Sequence, residues 1–200
     1  MGQQRLHKAL SAFPERDSVT VEWKPFMIDP GTNPKGETVE DYCRRRWGGA
    51  GWTNHLKQEG RKDGAAFSNW QWWPHTSKAH QLVQYCDSNE ICSTDKVNQY
   101  LFRAQYENGE NISDVDVLVK IGKDLGLPDD KESELQEFLA KEQGKSLMEQ
   151  EIRTGRQRYG IKGVPFFVVG KDDQGKSRPY GFSGAQASDT FLEIFEELSS

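Results

Sequence analysis

The sequence predicts an α/β protein in which a long helical block interrupts a small mixed scaffold. Two strand-like segments lie far apart, "SVTVEWKPFMI" (18–28) near the start and "PFFVVG" (165–170) near the end. The first alternates apolar and polar residues, and the second is a short apolar run, as in half-buried and fully buried strands respectively. Between them, residues 38–159 show mainly helical periodicity. This order of elements predicts helices inserted into an α/β unit.

The scaffold elements follow from local patterns at the two ends of the chain. Apolar residues at helical spacing predict an opening helix over 3–12, and the alternation over 18–28 predicts the first strand. Beyond the second strand, a polar turn at 171–177 leads to a short strand at 178–182. The chain closes with an amphipathic helix. Its predicted buried face consists of Phe191, Leu192, Ile194, Phe195 and Leu198.

Capping signals divide the helical block into separate helices. Thr38 with Asp41, and Ser113 with Asp116, have the spacing of capping boxes, and Gly160 stands where a helix-ending glycine is expected. The predicted helices are 38–47, one around 52–60, 76–87, 94–107, 113–125, and 133–159 with a break near Gly144, with a loop at 65–76.

The composition argues against several classes of partner. A net charge of −5 and a pI near 5.5 provide no basic surface for nucleic acid, and the single basic run at 43–47 is predicted as a solvated helix face. No stretch has the length of a membrane span, and the first residues lack the apolar core of a signal peptide, so a cytoplasmic protein is expected. Cys43, Cys86 and Cys92 are scattered, which predicts structural thiols and no metal site.

Pro165 raises a specific question because it stands directly before the second strand. Proline lacks a backbone N–H and is normally excluded from central strands. One interpretation is a cis-proline loop, in which the backbone N–H and C=O of Val164 are exposed for pairing with an extended substrate. The other is a trans proline that begins an edge strand. This stretch alone leaves both interpretations open.

Several longer motifs bear on that question. The segments are "RYGIKGVPFFVVG" (158–170), "YGFSGAQ" (180–186), "HTSKAHQLV" (75–83), "LFRAQYENGENISDVDVLVKI" (101–121) and "VTVEWKPFMIDP" (19–30). Together they closely resemble the DsbA-like thioredoxin family, in particular its FrnE-type branch, over the whole chain. The resemblance implies a thioredoxin-like fold formed by 1–30 and 160–200, interrupted by an all-helical domain over 31–159. It also implies a cis Val164–Pro165 bond.

The family's redox motif is missing from this sequence. Members of the family begin with a strand and a C-x-x-C such as "CPWC", and "MGQQRL" (1–6) resembles only the residues that follow them. The usual first strand and both cysteines would therefore precede Met1. No C-x-x-C occurs in the 200 residues, so no catalytic residue is assigned. Thiol–disulfide exchange needs a thiolate of lowered pKa, and the chain is expected to be inactive without that motif.

Two sets of residues are candidates for substrate binding. Val164 and Pro165 would pair with the substrate, and the loop before the last helix would either hold a ligand carboxylate, as in glutathione-using relatives, or cap that helix. In "WQWWPH" (70–75), aromatic and imidazole groups would line an apolar cleft or pack the two domains together. The candidate residues are Val164, Pro165, Ser183, Gly184, Ala185, Gln186, Trp73 and His75.

Three functions remain open at this point. The first is a DsbA-like, FrnE-type oxidoreductase acting on a thiol or disulfide peptide or a small-molecule thiol. The second is a glutathione-dependent isomerase or transferase similar to the chromene-carboxylate isomerase branch. The third is a non-catalytic binding or chaperone-like module. No bound cofactor is expected, apart from glutathione in the second function.

Overall fold

The computed structural model describes residues 1–172 and 176–199 as a set of helices with two short β-ladders. Residues 173–175 of the predicted turn at 171–177 lie outside the described part. The helices are α1 (Gly2–Ala12), α2 (Val39–Trp47), α3 (Trp52–Lys62), α4 (Ser77–Ser88), α5 (Thr94–Phe102), α6 (Val115–Asp124), α7 (Glu132–Ala140), α8 (Lys145–Arg158) and α9 (Ser188–Ser199). The strands are β1 (Glu37–Thr38), β2 (Trp72–Trp73), β3 (Phe166–Val169) and β4 (Tyr180–Ser183).

The two chain ends form one α/β unit. Strands β3 and β4 pair antiparallel, with Phe166 opposite Ser183 and Val169 opposite Tyr180. Helices α1 and α9 pack together beside this hairpin, as shown by the ring centroids of Phe13 and Phe195, which lie 5.4 Å apart. The buried core of this unit consists of Leu6, Ala9, Phe13, Phe191 and Phe195. Both terminal helices and the second and third predicted strands are confirmed.

The predicted strand over 18–28 is wrong. The chain makes a single 3₁₀ turn at Arg16–Ser18 and then runs without a β-ladder through residue 28. Val19 and Val21 pack against the core of the α/β unit, which explains the apolar alternation. A strand also needs a neighbour for its backbone groups, and within the described residues β3 pairs only with β4. The apolar pattern is therefore real, but it does not produce a ladder.

Residues 77–158 form a helical block around a separate core. Helices α4 to α8 pack so closely that a Cβ atom on Gly122 of α6 would lie 2.7 Å from Leu135 of α7. Leu82, Leu118, Leu135 and Leu139 have no exposed surface. The predicted break near Gly144 falls between α7 and α8. None of the helices in the described ranges is long and apolar enough to cross a membrane.

Local capping was predicted correctly at one helix and incorrectly at another. The Asp41 N–H donates to Thr38 Oγ1 over 3.1 Å at the start of α2, as the capping box predicts. At α6, however, the cap is Asp114, whose side chain accepts the Asp116 N–H over 2.8 Å. Ser113 Oγ instead accepts the backbone N–H of His75 over 2.8 Å. A tertiary contact thus occupies the hydroxyl that the local pattern assigned to the cap.

The segment predicted as a loop over 65–76 contains a short strand. Its β2 pairs antiparallel with β1, with Glu37 opposite Trp73 and Thr38 opposite Trp72. This ladder ties the start of α2 to the tryptophan-rich segment. Two residues per strand are too few for the alternation that marks a strand in a sequence, so the pairing was not predictable from periodicity.

Candidate substrate cleft

The loop before β3 presents an unpaired piece of backbone. The Val164–Pro165 peptide bond is cis, in agreement with the expectation from the sequence. Val164 is 47 % exposed, and neither its N–H nor its C=O has a hydrogen-bond partner within the described chain. The C=O of Pro165 accepts the Gly184 N–H over 2.8 Å, which fixes this loop to the one before α9. Val164 is therefore held in place with both main-chain groups available.

A cleft of about 2020 Å³ opens beside this loop. Its lining includes β3 and the extended segment 19–26, which lies within the strand predicted at 18–28. Thr20, Val21 and Glu22 make no backbone hydrogen bonds within the described chain, and β3 pairs along one edge only. Unpaired edges of this kind readily accept an added strand. The cleft is thus lined by two stretches of backbone that an extended ligand would satisfy.

The first turn of α1 forms the end of the cleft next to Pro165. A Cβ atom on Gly2 would lie 3.0 Å from Pro165 Cγ and 3.4 Å from Phe167 Cζ. The absence of a side chain at Gly2 therefore lets α1 approach the proline ring closely. This contact brings the beginning of α1, the proline loop and β3 together at one point.

Aromatic residues from the tryptophan-rich segment form another wall. Trp52, Trp70, Trp73 and Tyr106 all line the cleft. Trp73 stacks on Tyr42 with ring centroids 4.0 Å apart and an interplanar angle of 8°. The sequence pointed to Trp73 but missed Trp52, which comes from α3 and lies 5.1 Å from the Trp47 ring, between centroids. Such a wall suits an apolar or aromatic ligand group.

His75 lies elsewhere, although it is only two residues from Trp73. It does not line the cleft, and its backbone N–H is bound to Ser113. Burial lowers the pKa of its imidazole below the ordinary 6.5, against the opposing charge of Glu142. The structure therefore separates these two candidate residues.

The loop at 183–186 contributes only part of its length to the cleft. Gly184 and Ala185 line it, whereas Ser183 and Gln186 do not. The Gly184 N–H is bound to Pro165, the Gln186 N–H donates to the Gly184 C=O over 3.0 Å, and the Gln186 Nε2 donates to the Ser183 C=O over 2.8 Å. Two of the loop's backbone donors are consequently occupied within the protein.

Arg5 of α1 binds the 183–186 loop through its guanidinium group. Its guanidinium donates to the Ala185 C=O, and its Nε lies 2.8 Å from Asp63 Oδ2 at the end of α3. The positive charge is thus neutralised by a carboxylate. This side chain joins the α/β unit to α3 and holds the loop in position.

Asp95 of α5 joins the extended segment and α1 to the helical block. Its carboxylate accepts Gln3 Nε2 over 2.8 Å and Trp23 Nε1 over 2.7 Å, and His7 Nε2 lies 2.8 Å away. Burial alone would raise the pKa of Asp95, but hydrogen bonds from Gln3, Gln99 and Trp23 hold it below the ordinary 3.8. No spacing pattern in the sequence indicates this cluster, because its members lie in separate parts of the chain.

Among the described residues, no cysteine lines the cleft. Cys43 is fully buried beside Trp52, and Cys86 and Cys92 pack in the helical block. The described residues also contain no group of three or more potential metal ligands. The side chains lining the cleft can therefore bind and orient a ligand, but they provide no thiol nucleophile.

A cis-proline loop at a cleft between β3 and α1, with helices inserted between the two halves, defines a thioredoxin-like protein. The DSBA-like thioredoxin domain family matches residues 1–196, and the chain belongs to this family. Its members generally act on thiol and disulfide substrates. The chain is thus a DsbA-like protein of the thiol–disulfide oxidoreductase class whose sequence lacks a C-x-x-C.

Two individual proteins illustrate the relationship. The uncharacterized protein YwbO of Bacillus subtilis (strain 168) is 24% identical over 154 residues, which cover 76% of this chain and 72% of that protein. The crystal structure of a probable DsbA oxidoreductase from Streptomyces coelicolor superposes with a TM-score of 0.81 at 23% identity. That alignment covers 99% of this chain and 83% of the other. At this identity the structural likeness supports the fold.

Proposed function

We propose that the chain binds an extended thiol or disulfide substrate in the cleft, with the Val164 backbone as the pairing edge. The observation that carries this proposal is the exposed Val164, whose main-chain groups are unpaired beside a cleft lined by aromatic rings. Main-chain pairing provides affinity with little dependence on the substrate's side chains. A cysteine-containing peptide or a small-molecule thiol with an apolar portion fits this arrangement.

Within the family, we assign the chain to the FrnE-type branch. The support is the "GVPFFV" sequence at 163–168 together with "SGAQ" at 183–186, which the structure links through the Gly184 N–H and the Pro165 C=O. The chain's proposed role is substrate binding, because exchange requires a thiolate beside the bound sulfur. We expect the 200-residue chain to show negligible dithiol oxidase or insulin reductase activity.

A peptide series tests the pairing directly. A short extended peptide with a central cysteine is titrated into the protein, followed by versions N-methylated at one backbone position at a time. Methylation removes one N–H donor and leaves the side chains unchanged. Loss of the donor that pairs with the Val164 C=O should weaken binding about tenfold, the upper range for one neutral hydrogen bond. If N-methylation at no position weakens binding of the peptide, main-chain pairing is contradicted.

Matched variants of Val164 test the protein side. Val164→Pro removes the N–H donor and should weaken binding about tenfold, whereas Val164→Ala keeps both main-chain groups and should bind within about twofold of the parent. Circular dichroism and thermal melting verify that both variants are folded. Equal weakening by the two substitutions would indicate recognition of the valine side chain instead.

Two other functions receive less support. Glutathione-dependent isomerase or transferase activity would use the 183–186 loop to hold a carboxylate, but the Gly184 and Gln186 amides are already bound within the protein. A chaperone-like module would use the same cleft without preference for sulfur. Replacing the peptide's cysteine by serine distinguishes that function from ours, because a chaperone-like cleft would bind both peptides equally.

A further inference from the structure

Two cysteines outside the cleft form a pair in the helical block. Cys86 lies in the last turn of α4 and is 0% exposed, and Cys92 lies in the turn before α5 and remains partly exposed. Both pack in the same hydrophobic cluster, and the backbone N–H of Ile91, the residue before Cys92, is bound to the C=O of Cys86. Their separation in the sequence matches no redox motif, so the sequence predicted two unrelated structural thiols.

The backbone between α4 and α5 brings both cysteines to the same end of α4. The Asn89 N–H donates to the Tyr85 C=O over 3.1 Å, and the Ile91 N–H donates to the Cys86 C=O over 2.9 Å. Glu90 between them has a φ of +53°, the left-handed conformation that reverses the chain after a helix. The residue after Ile91 is Cys92, which is thereby returned to the end of α4.

We propose that Cys86 and Cys92 form a reversible intramolecular disulfide, a redox site separate from the substrate cleft. The oxidant is a low-molecular-weight disulfide such as glutathione disulfide. Cys92 reacts first because it is the partly exposed partner, and the positive charge of Lys96 favours its thiolate. The proposal does not depend on what the cleft binds.

The exchange proceeds in two balanced steps. The Cys92 thiolate attacks one sulfur of the external disulfide, which forms a mixed disulfide and releases one small thiolate. The Cys86 thiolate then displaces the second small thiolate and closes the Cys86–Cys92 bond. The two thiol protons end on the two released small thiols. The protein loses two electrons, and the external disulfide gains them.

The burial of both thiols makes oxidation of this pair slow. Burial raises the pKa of Cys86 to about 12, and burial also raises the pKa of Cys92 above its ordinary value despite the charge of Lys96. At neutral pH both sulfurs are mostly protonated, and only the thiolate attacks a disulfide. Below these pKa values the rate of closure should therefore rise about tenfold per pH unit. Such a pair stores a redox state over long periods and is unsuited to rapid turnover.

Mass spectrometry of the intact 200-residue protein provides the test. The folded protein is incubated with glutathione disulfide, denatured, and treated with an alkylating reagent that labels only free thiols. We expect one alkylated cysteine per chain, Cys43. Trypsin should release residues 79–96 as one peptide, since no Lys or Arg lies between His80 and Asp95. That peptide should be lighter by two hydrogens than its reduced form and should return to the reduced mass with dithiothreitol.

Variants separate the proposed pair from other oxidation events. Cys86→Ala should stop the reaction at a stable mixed disulfide on Cys92, and Cys92→Ala should leave Cys86 unreacted because it is buried. Cys43→Ala should oxidise like the parent. A parent protein that accumulates glutathione on Cys92 without closing, or that keeps all three thiols free at pH 8 to 9 in the folded state, would overturn the proposal. So would a disulfide involving Cys43.

Discussion

In the helical block Leu82 is 0% exposed, whereas Val168, in the middle of the apolar strand β3, is 43% exposed. The contrast follows from how each region satisfies its backbone. A helix binds its own N–H and C=O groups, so α4 to α8 need only pack their side chains together. A strand needs neighbours, and β3 has one described neighbour, β4. The region with the unsatisfied edge is also the region that contains the cleft.

The helical block and the α/β unit therefore contribute different properties to the protein. The helical block supplies a closed core and carries Asp95 and the cysteine pair. The α/β unit supplies the exposed backbone of Val164 and the open edge of β3. Closed packing gives stability, and open backbone gives binding capacity. Three experiments test whether this contrast is energetic as well as geometric.

The largest effect is expected from a cavity in the closed core. Leu82→Ala should lower the free energy of unfolding by about 4 kcal/mol, because a fully buried leucine is removed from a packed cluster. Leu147→Ala in α8 is the matched control, since Leu147 is 53% exposed and its loss should change stability by no more than about 0.5 kcal/mol. Urea unfolding measures both. Comparable losses in the two variants would show that the block is not a closed core.

The next effect concerns Asp95, which joins the two regions. Asp95→Asn should cost about 3 kcal/mol at pH 7, because it removes the charge that Gln3, Trp23 and His7 surround. Since the folded-state pKa of Asp95 lies below 3.8, its ionised form stabilises the fold above that pH. This contribution is lost as the pH falls through the lower folded-state pKa.

The difference in stability between Asp95→Asn and the parent should therefore shrink in strongly acidic solution. Thermal melts from pH 7 down to pH 2 measure it. Asp87→Asn is the control, because Asp87 is exposed on α4 and its carboxylate makes no hydrogen bond or ion pair within the described residues. A constant difference across the whole pH range would contradict the role of the ionised carboxylate.

The smallest of the three effects is expected from an experiment on the unpaired backbone edge of β3. Fusing a short apolar strand and a flexible linker ahead of Met1 should satisfy part of the backbone along β3 and 19–26. Each hydrogen bond contributes about 1 kcal/mol net, and ordering the added strand offsets much of the gain, so we expect about 2 kcal/mol and a melting temperature raised by about 6 °C.

A fusion of the same length with two prolines in the strand is the control, because it loses the donors that a ladder requires. Equal melting temperatures for the two fusions would mean that the edge does not accept a strand. The same pair of proteins sharpens the proposed function, since a strand that fills the cleft should also compete with the cysteine-containing peptide.

Much of this structure was determined by the sequence alone, wherever the physics is local. Helix periodicity, the Thr38 cap and the glycine at 160 involve residues within a few positions of one another, and the helices they predict are present. The hairpin of β3 and β4 is local in the same sense. The motifs around Pro165 also identified the family, because they are contiguous in the chain.

Other features were decided only by tertiary structure, because they join residues far apart in sequence or depend on a neighbour. The apolar alternation over 18–28 specifies which side chains turn inward, yet a ladder forms only beside a second strand. Asp95 acquires its role from Gln3 and Trp23, which no spacing rule connects to it. Cys86 and Cys92 become a pair because the chain reverses at Glu90. Periodicity predicts which face of a segment is buried. Which distant residues become hydrogen-bond or thiol partners depends on how the whole chain packs.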